Sequence, residues 1–244
     1  MIKVGDRFET TKSGFCTVIE YISWNNIRVR FEDGYEMSCR AGDLRRGNVK
    51  NPNHPIVCGV GFVGIGIYSK ISHPRISNCW GNMLKRCYNE NVQLKHTTYI
   101  GCTVDIRWYN FQNYVHDYLL MYGSDLGWQL DKDILFKHNK VYSPEKCCLV
   151  PSQINSVLIK KESCRGELLI GVTYIEGKLK PYMSQCSIKG KNKNLGYFKT
   201  QEEAYQAYKI AKETEIKRLA DFYKDLLDPR VYIALMNYEV EIDD

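Results

Sequence analysis

The stretch GELLIGVTYIEGKLKPYMSQCSIKGKNKNLGYFKTQEEAYQAYKIAK, residues 166–212, decides how the chain is read. Apolar and polar residues alternate in three short runs, separated by Gly-Lys turns and followed by a helical pattern. Tyr182, Ser184, Cys186 and Ile188 recur at the period of a half-buried strand, and Gly190 falls where a hairpin must turn. Thr200 is placed to cap a helix whose Ala204, Ala207, Tyr208 and Ala211 recur at three and four, the spacing of a face packed on a sheet. The spacing predicts a three-stranded antiparallel sheet with one helix behind it, extending over residues 165–224.

Charge gives the exposed face of that sheet a candidate role. From Arg165 to Thr200 there are seven basic residues (Arg165, Lys178, Lys180, Lys189, Lys191, Lys193, Lys199) against Glu167 and Glu176, a net of +5. Cations concentrated on a small sheet suit a polyphosphate, because each neutralised phosphate releases condensed counterions. A solvated lysine-rich hairpin is the competing reading of the same charges.

The pattern Gly171-Val172, a strand ending at Ile188, then Leu195-Gly196-Tyr197-Phe198 and a helix opening Thr200-Gln201-Glu202-Glu203-Ala204 resembles the DNA-binding domain of plant ethylene-response factors and their bacteriophage relatives. The resemblance covers about 47 residues and implies a sheet lying in the major groove of double-stranded DNA, its strands reading base edges while basic residues hold phosphates. Carried across by position, Thr173, Gln185, Ser187 and Asn194 stand where the plant domains use Arg, Glu, Arg and Trp, with Lys189, Lys191 and Lys193 as phosphate contacts. At those positions the chain departs from the family, so the fold carries over and the base preference does not.

The whole chain, 244 residues with 44% hydrophobic and 25% charged content, is expected to form two or three small modules of α+β class. No run approaches 18 apolar residues and the N-terminus has no signal-peptide core, so a non-membrane protein of the host-cell cytoplasm is expected. Ten cysteines contain no C-x-x-C pair and lie mostly in apolar runs, which predicts reduced thiols serving as small core residues and no zinc. Residues 225–244 carry one Arg against six acids and read as an acidic tail that keeps the protein soluble or folds back on the basic sheet.

Residues 1–50 alternate apolar and polar through Phe15–Tyr21 and Ile27, Val29, Phe31, with turn signals about every ten residues, which predicts a small five-stranded barrel of the Tudor or chromo kind. Trp24 is its candidate exposed aromatic, with packing against its own hairpin as the alternative. Residues 51–75 form a Gly- and Pro-rich connector. Its Gly59-Val60-Gly61-Phe62-Val63-Gly64 matches a dinucleotide-binding pattern, but no amphipathic helix follows, so it reads as a flexible or ligand-free turn. Helices are predicted over 76–90 and 107–122.

Residues 128–160 read as strand, polar loop, strand and helix. Together with Trp80-Gly81-Asn82-Met83-Leu84-Lys85-Arg86-Cys87-Tyr88 they resemble the HNH-type endonuclease-like proteins of bacteriophages, which often carry an ethylene-response-factor-like domain as well. The resemblance implies a ββα-metal module over 76–160, with a general base on the first strand and a divalent cation, Mg²⁺, held by strand and helix. By position Asp131 and Asn155 are the metal ligands, and Lys132 stands where the catalytic His belongs. Lysine is protonated at neutral pH and makes a poor base, while His138 in the loop is a displaced candidate. The expected function is a phage double-stranded-DNA-binding protein on a degenerate HNH-like scaffold. The alternatives are an active metal-dependent homing-type endonuclease and, third, an inhibitor of a host factor.

Overall fold

A computed structural model describes residues 1–158 and 168–242. Arg165, Gly166 and Glu167 of the basic segment, Cys164, and Asp243 and Asp244 of the acidic end lie outside the described residues. The chain is mixed α+β with several small sheets, and it divides into two compact units, one of residues 1–119 with 140–144 and one of 120–139 with 145–244. The boundary falls inside the 76–160 stretch.

In the first unit, β1 (Arg7–Glu9), β2 (Phe15–Ser23), β3 (Asn26–Phe31) and β4 (Glu36–Cys39) form an antiparallel sheet in sequential order. Strand β3 shows why it folds so. Ile27, Val29 and Phe31 are buried, while Arg28 and Arg30 face water and pair with Glu20 and Glu36 at 2.7–3.0 Å. The expected barrel is not closed: four strands pair, not five, and β1 does not meet β4. After β4 the chain forms the short helix α1 (Ala41–Arg45) instead of a fifth strand, and its Ala41 and Leu44 cover the core that a barrel wall would have covered. Trp24 is exposed in the β2–β3 turn, so packing against its own hairpin does not occur.

The remainder of the first unit is helical. Helix α2 (Pro74–Tyr88) buries Ile76, Trp80, Met83, Leu84 and Cys87, and the short α3 (Glu90–Lys95) follows. Strand β5 (Thr103–Val104) and helix α4 (Phe111–Leu120), which buries Phe111, Tyr114, Val115 and Tyr118, come next. The Gly-rich connector is pinned rather than flexible. Gln112 donates to the carbonyls of Val63 and Tyr68 and accepts from the Tyr68 amide, all at 2.9–3.0 Å, and a Cβ at Gly61, Gly64 or Gly66 would collide with Leu84, Asn110 or Gln112. Of the glycines of the apparent nucleotide motif, Gly61 and Gly64 serve close packing, whereas Gly59, at φ +72° with nothing near a Cβ, serves the backbone turn.

In the second unit β6 (Gln129–Asp131) pairs antiparallel with β8 (Cys148–Val150), which leads into α5 (Ser152–Leu158), while β7 (Val141–Tyr142) pairs parallel with β5 in the first unit. Strand β6 ends at Asp131, because Asp131 Oδ1 accepts the amides of Asp133 and Ile134 at 2.7 and 2.9 Å and turns the chain. Strands β9 (Val172–Tyr174), β10 (Tyr182–Ile188) and β11 (Lys191–Phe198) form an antiparallel sheet in the order β11-β10-β9. Helix α6 (Gln201–Tyr223) backs it, and Thr200 Oγ1 caps the helix by accepting the Glu203 amide at 3.2 Å. At Gly171 a Cβ would enter the Tyr208 ring, and φ is +75°, so only glycine fits where β9 meets the helix.

Helix α6 serves two cores. Its first half puts Tyr205 and Tyr208 under the sheet with Cys186, whereas Ile216, Leu219 and Ala220 join Ile134, Cys148, Val150 and Ile154 of the β6–β8–α5 segment. Residues 225–244 are more than a tail. Helix α7 (Pro229–Met236) inserts Val231 and Leu235 into the second of these cores, and Val240 is buried in the first. None of the nine described cysteines is in a disulfide, and six of them are buried. No described helix is long and apolar enough to cross a membrane.

Candidate nucleic-acid interface

The register of the β9–β11 sheet sorts its side chains. Ser184 and Cys186 are buried toward α6, so their neighbours Met183, Gln185 and Ser187 leave β10 on the opposite face. Directly paired residues share a face, which adds Thr173 and Tyr197 opposite Met183, Asn194 opposite Gln185 and Asn192 opposite Ser187. A bulge between Ser184 and Gln185, where Leu195 is the extra residue, keeps Asn194 on the outer side while Leu195 packs inward. The four positions singled out from the sequence, Thr173, Gln185, Ser187 and Asn194, are therefore brought together on one face. Gln185 Nε2 donates to Thr173 Oγ1 at 3.2 Å, and Asn194 Oδ1 accepts the Gly196 amide at 2.8 Å, so both amides are oriented.

The lysines are arranged differently. Lys191 and Lys193 pair with Ile188 and Cys186, so they leave the sheet on its helix side and flank the outer face. Lys189 and Gly190 have φ of +51° and +74° and make the two-residue hairpin turn. Glu215, buried on α6, accepts the Lys189 amide at 2.8 Å and is paired with Arg218 at 2.7 Å. The hydrogen bond from Arg218, reinforced by the Lys189 amide, holds the Glu215 carboxyl below the ordinary glutamate range against the opposing effect of burial. At the other end of the sheet, Lys178 and Lys180 lie in the β9–β10 connection and Lys199 follows β11. Lys178 Nζ stands 4.1 Å from the Tyr197 ring centroid. Three lysines thus lie at the β9–β10 end of the sheet, Lys189 lies in the hairpin turn at the other, and Lys191 and Lys193 leave β11 on the helix side, while the outer face carries amides, hydroxyls, Met183 and Tyr197. With β10 seven residues long, the two ends of the sheet are roughly 20 Å apart.

Lys191 and Lys193 alternate with Asn192 and Asn194 along β11, and only the pairing partner tells which set faces out. Asn192, Met183 and Tyr197 are further outer-face residues that the positions carried over from the family do not include.

The residues of the ββα segment are used otherwise. Lys132 is buried, and its ammonium donates to both carboxylate oxygens of Asp133 and to the Asn139 carbonyl, each at 2.7 Å. Asn139 Nδ2 returns a hydrogen bond to the Lys132 carbonyl at 2.8 Å. All three hydrogen bonds of the Lys132 ammonium are spent on closing the 132–139 loop. His138, at φ +62°, is exposed, with Nε2 3.6 Å from the Glu241 carboxylate, which also pairs with Lys137 at 3.0 Å. Among the described residues, Glu241 of the acidic end pairs with this loop, while Val240 beside it is buried in the core under the sheet.

Asp131 and Asn155 are each engaged by neighbouring groups. Burial drives the Asp131 carboxyl upward, toward the neutral form, and the amides of Ile134 and Asp133 offset this only in part. Asn155 Nδ2 donates to Gln129 Oε1 at 2.6 Å, one strand step from Asp131. A hard divalent cation needs charged oxygen ligands aimed at one point, and among the described residues no three His, Cys, Asp or Glu side chains cluster to hold one. No family model, curated protein or solved structure matches the chain.

Proposed function

We propose that the protein binds double-stranded DNA through the outer face of the β9–β11 sheet, and that the HNH-like segment supports the fold without cutting. The observation that carries this reading is the distribution of charge: six lysines against Glu176 among residues 168–200, three at the β9–β10 end and three on the hairpin turn and the helix side of β11, around an outer face that carries no charge. A β-sheet fits the roughly 12 Å major groove, and cations at both of its ends then meet phosphates on either side while the centre meets base edges. The absence of cleavage follows from the chemistry of the loop. Lys132 is committed to three acceptors, and His138 faces Glu241 rather than Asp131.

Fluorescence anisotropy on a labelled duplex across a salt series tests the binding. Six phosphate contacts give a slope of log affinity on log salt of about −5, and each triple Lys→Gln variant, at 178/180/199 or at 189/191/193, is expected to remove about half of it. Retention of wild-type affinity and slope by both triple variants would exclude the sheet as the binding surface. A supercoiled-plasmid assay with Mg²⁺ or Mn²⁺ on the same preparation is expected to show no nicking; metal-dependent nicking lost in Asp131→Ala would establish the endonuclease instead.

A further inference from the structure

We infer that the outer face of the sheet prefers A·T-rich duplex, with Gln185, Asn192 and Asn194 as the specificity-determining residues. The inference rests on the DNA-binding reading above. Its ground is the composition of the face: three side-chain amides, Thr173, Ser187, Met183 and Tyr197, with no arginine and every lysine displaced to the ends or the helix side. In the major groove guanine is read by a bidentate arginine or lysine, which this centre lacks. Adenine is read by a bidentate Asn or Gln, whose oxygen accepts from N6–H while its nitrogen donates to N7.

The amides are set for that role. Gln185 Nε2 spends one hydrogen on Thr173 Oγ1 and keeps the other, together with Oε1, for a base. Asn194 Oδ1 receives the Gly196 amide through one lone pair, which fixes the side chain and leaves Nδ2 and a second lone pair. Asn192 is exposed beside Ser187. The Thr173 methyl and the Met183 side chain add apolar contacts of the kind that recognise the thymine methyl group. Alternate residues along β10 are about 7 Å apart, two base-pair steps of roughly 3.4 Å, so Met183 to Ser187 covers a core of about four or five base pairs.

Selection from a duplex pool with ten randomised base pairs, using the full chain, tests the inference. An enriched core of four or five mainly A·T pairs is expected, with each of Gln185→Ala, Asn192→Ala and Asn194→Ala reducing discrimination at its own position about tenfold or more. The near-isosteric Gln185→Glu and Asn194→Asp preserve the side-chain shape and are expected to shift their positions toward cytosine, whose N4 amine an acid accepts, so a loss of folding in the alanine variants cannot mimic the result. An enriched G·C core overturns the preference, and an A·T core unchanged in all five variants overturns its assignment to these three residues; both leave DNA binding standing. Recovery of no duplex at all overturns both.

Discussion

Two β-containing segments of the second unit carry residues of the same chemical kinds, and they put them to opposite use. On the β9–β11 sheet Thr173, Gln185, Ser187 and Asn194 stand on the face turned from α6, held by short polar contacts and open to a ligand. In the β6–β8–α5 segment Asp131, Lys132 and Asn155 are consumed by their neighbours: backbone amides, a carboxylate and carbonyl, and the Gln129 side chain. The difference lies in coverage. The first sheet is packed on one side only, whereas the second segment is part of a core that also takes in the far half of α6 and helix α7. Lys132, buried in that segment, must find internal partners, because an unsatisfied buried polar group costs about 1–3 kcal/mol, whereas Asn155 and Gln129 pair in an exposed position. A polar group on an open sheet can wait for a partner.

The largest effect that would sharpen this contrast is on binding. Replacing all six lysines of the sheet, Lys178, Lys180, Lys189, Lys191, Lys193 and Lys199, with Gln is expected to lower duplex affinity at least a hundredfold in moderate salt with little change in thermal unfolding. A binding loss matched by an equal loss of folding would place these side chains among the structural ones and erase the distinction.

The second effect should be on stability alone. Lys132→Ala removes three charge-assisted hydrogen bonds and strands the Asn139 carbonyl, which is expected to cost about 2 kcal/mol in urea unfolding while affinity per folded molecule stays unchanged. Lys132→His breaks the same loop and is expected to produce no metal-dependent nicking. A gain of nicking would show that the segment is a catalytic scaffold after all.

Acid should weaken the unit with a sign that separates its carboxylates. In Asp228 burial is outweighed by hydrogen bonds from Arg230, and in Glu215 the Arg218 hydrogen bond dominates, so both have folded pKa values below their unfolded ones. Their contribution is full above the unfolded pKa, near 4, and is lost as the pH falls through the folded values. Denaturant melts between pH 6 and pH 3 should therefore show falling stability, less steeply in Glu215→Gln. An unchanged slope in that variant would mean that Glu215 does not clamp the Lys189 turn.

The smallest effect concerns Asp131, whose folded pKa is raised by burial, giving the opposite sign: stability falls as the pH rises above the unfolded value. Asp131→Asn keeps the acceptor for the two backbone amides and removes the buried charge. A slightly higher melting temperature at pH 7 is expected, with the gain fading in acid. Marked destabilisation at pH 7 would show that the charge itself holds the loop.

Much of the local structure was legible in the sequence. Period-two alternation around Tyr182–Ile188, the Thr200 cap and the run Ser152–Leu158 all concern neighbours a few residues apart, and the same short range governs strand and helix formation. The N-terminal strands were legible for the same reason, and the barrel was not. Closure depends on a pairing between the first and last strands, which the turn spacing does not specify, and α1 covers the core instead. The Gly-rich connector misled because close packing and conformational freedom both select glycine, and only the neighbours Leu84, Asn110 and Gln112 separate the two causes.

By itself the sequence determined the α+β class, the excess of lysine over 168–200 and the position of the polar residues along each strand, since these depend on composition and on the two periods of the backbone. Tertiary structure decided which of those residues face outward. Asn194 and Lys193 are adjacent and equally hydrophilic, yet pairing with Gln185 sends one to the open face, and pairing with buried Cys186 sends the other to the helix side. It also decided that Lys132 is a loop clasp, because the 132–139 turn brings the Asn139 carbonyl to its buried ammonium. Side-chain chemistry is fixed one residue at a time, whereas exposure and partnership are set by contacts between residues distant in sequence, and it is those that turn a polar residue into a binding group or a structural one.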